Sequence, residues 1–237
     1  MTGVDILIRA KRFPDPAGGE ARVIYRDFSF VVAPLSFVVL LAPSGLGKTT
    51  LLNMIAGLDR DYDGRIGFGT AGAPRIAYAF QSPRLLPWRT VVENVALPLG
   101  EDAAALAAAR AMLEEVGLAE QAQAYPERLS LGQQRRVALA RAFALEPDLL
   151  LMDEPFVSLD EAGAARLRDL LRRLLARRPA TVIFVTHDSR EAVELGSRIV
   201  RLDGPPARIL RDVAIDLDLA ARRGAAGEAL RAELMAP

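Results

Sequence analysis

The segment that most constrains the fold of this chain is residues 42–50, Ala-Pro-Ser-Gly-Leu-Gly-Lys-Thr-Thr. The apolar run 37–41 before it has the composition of a buried strand, and residues 51–57 after it have the pattern of a helix that ends at a glycine. A glycine-rich loop between a strand and a helix points backbone N–H groups and the positive end of the helix dipole at an anion. The segment therefore predicts an α/β fold with a site for the phosphates of a nucleotide.

Two side chains of this loop are suited to act on a nucleotide. Lys48 supplies a cation for the β- and γ-phosphates, and the hydroxyl of Thr49 is an oxygen ligand for Mg²⁺. The loop pattern requires glycine at its first position, where this chain has Ala42. The alanine is mild if its φ angle is negative, but it costs about 1 kcal/mol if the position needs a positive φ.

Composition excludes several classes of protein and site. Of the 237 residues, 51% are apolar, which excludes a disordered chain. Lysine and arginine together number 30, as do aspartate and glutamate, so the zero net charge gives no electrostatic reason to expect nucleic acid as a partner. The chain has no cysteine and one histidine, His187, which excludes disulfides, thiolate chemistry and a multi-histidine metal site.

The sequence lacks the segments that target or anchor a protein in a membrane. No stretch approaches the roughly 20 apolar residues that cross a bilayer. The first residues lack the basic and apolar regions of a signal peptide. We therefore expect a soluble, cytosolic protein that acts at a membrane only through a partner.

Strand-like and helix-like segments alternate towards both ends of the chain, with a mainly helical stretch between them. This order predicts a parallel sheet with helices on its faces. The expected organisation is one domain over residues 1–237, with a core of about 1–84 and 147–215, a helical subdomain of about 85–146 and a C-terminal tail of about 216–237. The arginine-rich helix 166–178 is expected to present a solvated face.

Two adjacent carboxylates follow the apolar run 149–152. Asp153, at the carboxyl end of a predicted strand, is placed to hold the Mg²⁺ that Thr49 binds. Glu154, one residue further on, can orient and polarise an attacking water. The structural alternative is an acidic turn before Pro155. We favour the catalytic interpretation because the phosphate loop lies in the same chain.

Residues 129–133, Leu-Ser-Leu-Gly-Gln, mark the start of another helix that is a candidate for function. Ser130, followed three residues later by Gln133, predicts a capping box. A capped helix N-terminus can itself bind an anion, so the structural and the functional interpretation are compatible.

Together these segments make the chain resemble the ATP-binding subunit of ABC transporters over about residues 4–215. The resemblance implies a P-loop NTPase with a RecA-like core containing a parallel sheet, an N-terminal antiparallel β subdomain and an α-helical subdomain. It also implies ATP and Mg²⁺ as ligands. The motifs that carry it, in chain order, are Walker A (42–50), the Q-loop glutamine Gln81, the signature motif (129–133), Walker B with the catalytic glutamate (149–154), the D-loop with Asp160, and the switch histidine His187.

The resemblance also implies a role for each of these residues. The expected catalytic residues are Glu154, His187 and Gln81. The residues expected to contact ATP are Phe13, Ser44, Gly45, Leu46, Gly47, Lys48, Thr49 and Thr50. Phe13 is expected to stack on the adenine, with Tyr25 as a weaker alternative. The residues expected to hold Mg²⁺ are Thr49, Gln81 and Asp153.

The family implies protein partners as well. A second cassette, forming a homodimer in the complex, is expected to complete each site in trans with Ser130, Leu131, Gly132 and Gln133. Transmembrane permease subunits are expected to hold the pair at the cytoplasmic side of the inner (plasma) membrane, with a solute-binding protein as an indirect partner. Residues 85–88, Leu-Leu-Pro-Trp, resemble the importer branch for sulfonate, taurine, nitrate and related solutes. The alternative is that Trp88 packs inside its own subdomain.

Leu131 is the more serious departure from the family, whose signature motif has glycine at this position. A branched side chain there predicts slower or partner-dependent ATP hydrolysis. Two alternatives therefore stay open, a regulatory or weakly hydrolysing cassette and a non-transport ABC ATPase. The single cassette and the zero net charge disfavour the second of these.

Overall fold

The computed structural model describes residues 2–15, 17–70 and 72–236; Met1, Pro16, Ala71 and Pro237 lie outside the described residues. The described residues form two compact units. The first unit contains those before residue 74 and those from Thr181 onward, and the second contains Pro74–Ala180. The expected division into a core, a helical subdomain and a tail stays a prediction.

The strands of the described residues are, in chain order, β1 (Val4–Phe13), β2 (Arg22–Val32), β3 (Phe37–Leu41), β4 (Asp63–Phe68), β5 (Ile76–Ala79), β6 (Leu149–Asp153), β7 (Thr181–Thr186), β8 (Arg198–Asp203) and β9 (Arg208–Ala214). The α-helices are α1 (Lys48–Ile55), α2 (Val91–Ala96), α3 (Ala103–Glu115), α4 (Leu131–Ala144), α5 (Glu161–Arg177), α6 (Ser189–Leu195), α7 (Leu219–Arg223) and α8 (Ala225–Met235). Two short 3₁₀ turns, Ala119–Gln121 and Pro126–Arg128, lie between α3 and α4. None of these helices combines the length and the apolar composition needed to cross a bilayer.

An antiparallel sheet opens the first unit. Its strand order is β2-β1-β4, and β1 runs antiparallel to both neighbours. Val4, Ile6 and Ile8 are buried while the residues between them are more exposed, which is the pattern of a strand with one face on a core. The N-terminal antiparallel β subdomain is therefore confirmed.

Parallel strands carry the phosphate loop in the first unit. β3 lies between β7 and β8 and runs parallel to both, and β9 pairs with β8 in the antiparallel sense. Every residue of β7 is buried, as in a parallel sheet that is covered on both faces. Leu41 is aligned with Thr186, so the chain leaves β3 and β7 at the same level. This alignment decides where the residues after each strand lie.

Four elements of the first unit, α6, β8, α7 and α8, are not predicted by the sequence pattern. In β8, Arg198 and Arg201 interrupt the apolar residues. Arg198 pairs with Asp212 of β9 at 2.6 Å, and Arg201 donates to the main-chain carbonyl oxygen of Leu234 near the end of α8. Because these arginines find their partners later in the chain, local hydrophobicity does not reveal the strand.

In the second unit, β5 and β6 pair in parallel, with Ala79 aligned with Met152. Helices α2, α3 and α4 pack on one another, and Phe143 of α4 is fully buried. Asn94 of α2 is also fully buried, and its side-chain oxygen accepts a hydrogen bond from the Leu86 N–H at 2.7 Å. This bond ties the loop before α2 to the helix.

The arginine-rich helix α5 begins earlier than the predicted residue 166, because Asp160 caps its N-terminus. Arg166 and Arg173 are exposed, as expected for a solvated face. Arg168 is only 7% exposed and bonds to Glu161 at 2.7 Å, so the expectation is wrong for this arginine.

Candidate nucleotide site

The phosphate loop presents an uncapped helix end. α1 begins at Lys48, and its N-cap residue Gly47 has a φ of 93° and no side chain to bond the first N–H groups. The first turn also contains no acidic residue. Ser44, Gly45 and Thr49 are exposed. A helix start without a side-chain cap or an acidic residue suits the binding of an anion.

Lys48 is held against the loop that precedes it. Its side chain is buried, and Nζ donates to the carbonyl oxygens of Ala42 at 2.8 Å and Pro43 at 2.9 Å. Carbonyl oxygens are neutral partners, so the positive charge is not cancelled by these two bonds. The ammonium is thus positioned by two carbonyl groups of the phosphate loop.

Ala42 is the mild kind of departure. It is not among the described non-glycine residues with positive φ. It is buried, and its N–H donates to the Thr186 carbonyl at 3.2 Å, which continues the pairing of β3 with β7. An alanine at this position therefore adds a methyl group without backbone strain.

The hairpin of β1 and β2 braces the phosphate loop, which the sequence did not indicate. Arg22 donates to the Gly45 carbonyl and Tyr25 donates to the Gly47 carbonyl, each at 2.9 Å. A Cβ atom on Gly47 would lie 2.3 Å from a methyl carbon of Ile24. Burial raises the pKa of Tyr25, so its hydroxyl stays protonated as a donor. Tyr25 is fully buried, which excludes it as a stacking surface for adenine.

His187 follows β7 at the level of the phosphate loop. Since Leu41 is aligned with Thr186, Ala42 and His187 occupy equivalent positions after their strands. His187 is exposed, and the next residue, Asp188, caps α6 by accepting from the Arg190 N–H at 2.7 Å. Within the first unit, the structure thus brings the predicted switch histidine to the edge that carries the phosphate loop.

The second unit brings three predicted site residues to one strand edge. Ala79 is aligned with Met152, so Gln81 and Glu154 each lie two residues beyond the same level. Asp153 is 5% exposed, Gln81 is exposed, and Glu154 is half-buried. Glu154 has a φ of 42°, which is unusual for a residue with a side chain. Such strained residues concentrate at functional sites.

The signature segment forms the predicted capping box at the start of α4. The Gln133 N–H donates to the Ser130 hydroxyl at 3.3 Å, and the Ser130 N–H donates to the Gln133 side-chain oxygen at 2.8 Å. Leu131, the first residue of the helix, is 37% exposed. A Cβ atom on Gly132 would meet nothing within 4 Å. Within this chain, the Cβ position of Gly132 is therefore unobstructed.

Arg135 of α4 links the signature helix to two neighbouring loops. It is 5% exposed, and its guanidinium donates to the carbonyl oxygens of Phe80 at 3.4 Å and Val157 at 3.1 Å. Phe80 immediately precedes Gln81, and Val157 lies in the turn before α5. Sequence reasoning missed this residue because an arginine in a surface-like helix pattern gives no signal of burial.

Residues 25–157 match the family of ABC transporters. The chain belongs to this family.

Curated relatives of this ABC protein include an aliphatic sulfonates import ATP-binding protein of Xanthomonas axonopodis pv. citri, which is 41% identical over 97% of this chain and 92% of the relative. A taurine import ATP-binding protein of Pseudomonas aeruginosa is 41% identical over 90% of this chain and 83% of the relative. Among solved structures, a dimeric post-hydrolysis state of the ATP-binding cassette MJ0796 bound to ADP and Pi is 29% identical, with a TM-score of 0.78 over 91% of this chain and all (100%) of that one. The predicted P-loop NTPase fold is therefore confirmed.

Three further predictions for an ABC cassette concern Asp160, Phe13 and Trp88. Asp160 accepts from the Gly163 N–H at 2.8 Å as the cap of α5; its D-loop role stays a prediction. Phe13 is 41% exposed at the end of β1, so its ring is accessible. Trp88 is 72% exposed, which excludes packing inside its own subdomain, and Leu85 and Leu86 are half-buried.

The chemistry of the predicted Mg²⁺ ligands fits that ion. Thr49, Gln81 and Asp153 offer a hydroxyl, an amide and a carboxylate oxygen, which are the hard donors that Mg²⁺ prefers. Within the described part of the chain, no group of three or more histidine, aspartate or glutamate residues could hold a metal. A set with one carboxylate leaves room for phosphate and water oxygens, as is usual for nucleotide-bound Mg²⁺.

Proposed function

We propose that this chain is the subunit that binds and hydrolyses ATP to power an ABC importer of small solutes of the sulfonate, nitrate or taurine type. The observation that carries the proposal is the open start of α1, which has neither a side-chain cap nor an acidic residue in its first turn. The names of the sulfonate and taurine import relatives support the solute class.

Each site residue would contribute a separate part of the chemistry. The phosphate loop binds the β- and γ-phosphates, and Thr49, Gln81 and Asp153 would hold Mg²⁺, which neutralises phosphate charge when bound. Glu154 accepts a proton from, and orients, the water that attacks the γ-phosphorus atom. His187 donates a hydrogen bond to the γ-phosphate. Hydrolysis then separates phosphate from ADP.

A second copy of the cassette would complete the site. Ser130 and the N–H groups of Leu131 and Gly132 begin a capped helix that is exposed at its first residue, which suits a γ-phosphate held by another chain. Two copies related by a two-fold axis would exchange these segments reciprocally. The dimeric state of the MJ0796 cassette supports this assembly.

A permease at the cytoplasmic side of the inner membrane would receive the motion of the cassette pair. Trp88 exposes a large aromatic side chain shortly after Gln81, and aromatic anchors are frequent at the centre of protein interfaces. Asn94 fixes the loop that presents it through its bond to Leu86. A solute-binding protein would act on the permease rather than on this chain.

A weakly hydrolysing or regulatory cassette is the second candidate. The observation that favours it is the exposed Leu131 in the segment that would approach the partner's nucleotide. In that case ATP would still close the dimer, but γ-phosphate cleavage would be slow without the permease.

The variant Glu154→Gln tests the main proposal. Removing the proton acceptor while keeping the shape of the side chain should lower ATP hydrolysis by at least about 100-fold and should leave ATP bound. Phosphate release measures the rate, and light scattering measures the ATP-dependent dimer. Glu146→Gln is a matched control, since Glu146 also has a positive φ, of 48°, in the same unit. Hydrolysis by Glu154→Gln at the wild-type rate would contradict the proposal.

A further inference from the structure

A buried lysine of β1 has no part in the chemistry described above. Lys11 is 2% exposed, and its Nζ lies 2.9 Å from the Asp59 carboxylate and 2.6 Å from the Asp61 carbonyl oxygen. The same ammonium lies 4.7 Å from the centroid of the Phe13 ring. A buried cation with fixed anionic partners and an aromatic face beside it is a built arrangement rather than a solvated side chain.

The ring and the lysine share one face of the strand. Lys11 and Phe13 are two positions apart in β1, so their side chains leave the same side of the sheet. Because the face of the ring next to Lys11 is covered by a buried ammonium, the exposed area of Phe13 lies on the rest of the ring. The aromatic ring therefore lies between a fixed cation and solvent.

The same strand pair reaches the phosphate loop. Phe13 is aligned with Arg22 across β1 and β2, and Arg22 donates to the Gly45 carbonyl at 2.9 Å. The ammonium of Lys11 bonds to the carboxylate of Asp59, which follows helix α1. Phe13 is thus aligned with a residue that contacts the loop before α1, and the lysine beside its ring bonds to a residue that follows α1.

A ring held in this way suits a planar base. Stacking of a base on an aromatic side chain changes affinity by about 5- to 150-fold. A ring that is already ordered loses less side-chain entropy when the base arrives. The cation attracts the ring face electrostatically, and the Asp59 carboxylate and the Asp61 carbonyl group hold the ammonium in place.

We infer that Lys11 is a positioning residue that holds Phe13 as the stacking platform for the base of the nucleotide. The inference rests on the proposed function, because it takes ATP as the ligand. It deepens that function by separating recognition of the base, through Lys11 and Phe13, from recognition of the phosphates by the loop.

Two ligands distinguish the two kinds of recognition. ATP and inorganic tripolyphosphate would be titrated into the full chain by calorimetry, since tripolyphosphate has no base. Lys11→Met should weaken ATP binding about three- to tenfold and leave tripolyphosphate binding unchanged. Phe13→Ala should weaken ATP more, and adding Lys11→Met to it should cause no further loss, because the lysine acts through the ring.

A matched control lies two residues earlier in the same strand. Arg9 forms an exposed ion pair with Asp63 at 2.9 Å, so Arg9→Met removes a cation from β1 without touching the ring and should leave both affinities unchanged. If Lys11→Met does not fold, Asp59→Asn keeps the lysine but loosens its ammonium, and it should lower ATP affinity selectively as well.

The outcomes separate this inference from the proposed function. Wild-type chain that binds neither ligand would overturn the proposed function. Wild-type binding of ATP that is unaffected by Phe13→Ala would overturn the platform alone. An equal loss of ATP and tripolyphosphate affinity in Lys11→Met or Asp59→Asn would assign the lysine a purely structural role and overturn the inference.

Discussion

The phosphate loop and the signature segment each lead into a helix, but Gly47 of the loop and Gly132 of the signature segment differ in how closely the chain packs around them. Gly47 has a φ of 93°, and a Cβ atom there would lie 2.3 Å from a methyl carbon of Ile24. Gly132 is not among the glycines with positive φ, and a Cβ atom there would meet nothing within 4 Å. Packing within the chain therefore requires glycine at position 47 and does not require it at position 132.

Ala42 and Leu131, the two departures from the family pattern, differ in the same way. Ala42 is buried and pairs with Thr186, so its environment is complete within the chain. Leu131 is 37% exposed at the first turn of α4. Packing within the chain therefore constrains the residue types of the phosphate loop. We expect a partner molecule to constrain those of the signature segment.

Gly47→Ala should have the largest effect on stability. The positive φ and the contact with Ile24 together should cost about 2–4 kcal/mol, and the displaced loop should lose ATP. Thermal unfolding and ATP titration measure the two losses. Gly45→Ala is the control, because Gly45 has a φ of 80° but open space around its Cβ position. Equal stability of the two variants would show that the Ile24 contact imposes no constraint.

Gly132→Ala should weaken the ATP-dependent dimer without lowering the stability of the monomer. In a helix, alanine is more favourable than glycine by about 1 kcal/mol, so the monomer should be as stable as the wild type or more stable. The ATP-dependent dimer should weaken by about tenfold, since the new methyl group occupies space for the partner's nucleotide. Thermal unfolding and light scattering with ATP provide the two readouts. A less stable monomer would contradict the claim of an external constraint.

Glu115→Gln should change the stability of the second unit without changing the site. Both carboxylate oxygens of Glu115 bond to Arg178, at 2.6 and 2.8 Å, and these bonds lower the pKa of Glu115. A lowered pKa stabilises the fold above the unfolded value of about 4.3 and loses that effect as the pH falls through the folded value. The variant should be about 1 kcal/mol less stable at pH 7, with a difference that shrinks below about pH 4. A pH-independent difference would exclude the ion pair as its cause.

Leu131→Gly should have the smallest effect, a few-fold rise in the rate of ATP hydrolysis. Removal of the branched side chain restores the family pattern where the partner's nucleotide approaches. Phosphate release at saturating ATP measures the rate, and an unchanged or lower rate would show that Leu131 does not slow the paired site.

Sequence reasoning succeeded where adjacent residues encode the structure. The capping box of Ser130 and Gln133 and the acidic pair at the end of β6 depend on neighbours within a few positions, so their patterns are visible in the chain. The brace on the phosphate loop depends on Arg22 and Tyr25, more than 20 positions from the carbonyl groups that they bond. Contacts of that kind arise from tertiary structure and leave no local pattern.

The burial of charged residues was the main source of error. Lys11, Arg135 and Arg168 are each less than a tenth exposed, although lysine and arginine in amphipathic patterns normally mark the solvated side. Lys11 and Arg135 donate to a carboxylate or a carbonyl group of another part of the chain, and Arg168 donates to Glu161 at the start of its own helix. The partners of Lys11 and Arg135 cannot be identified from the pattern of their own segments.

The most direct test of the central claim is the monomer–dimer equilibrium of Glu154→Gln in ATP, measured by light scattering with and without Gly132→Ala. The claim is that the signature segment is shaped by the nucleotide of a second chain. Glu154→Gln should form a dimer that requires ATP, and Gly132→Ala should weaken that dimer about tenfold while the melting temperature of the monomer does not fall. An ATP-dependent dimer of the same strength with Gly132→Ala would contradict the claim.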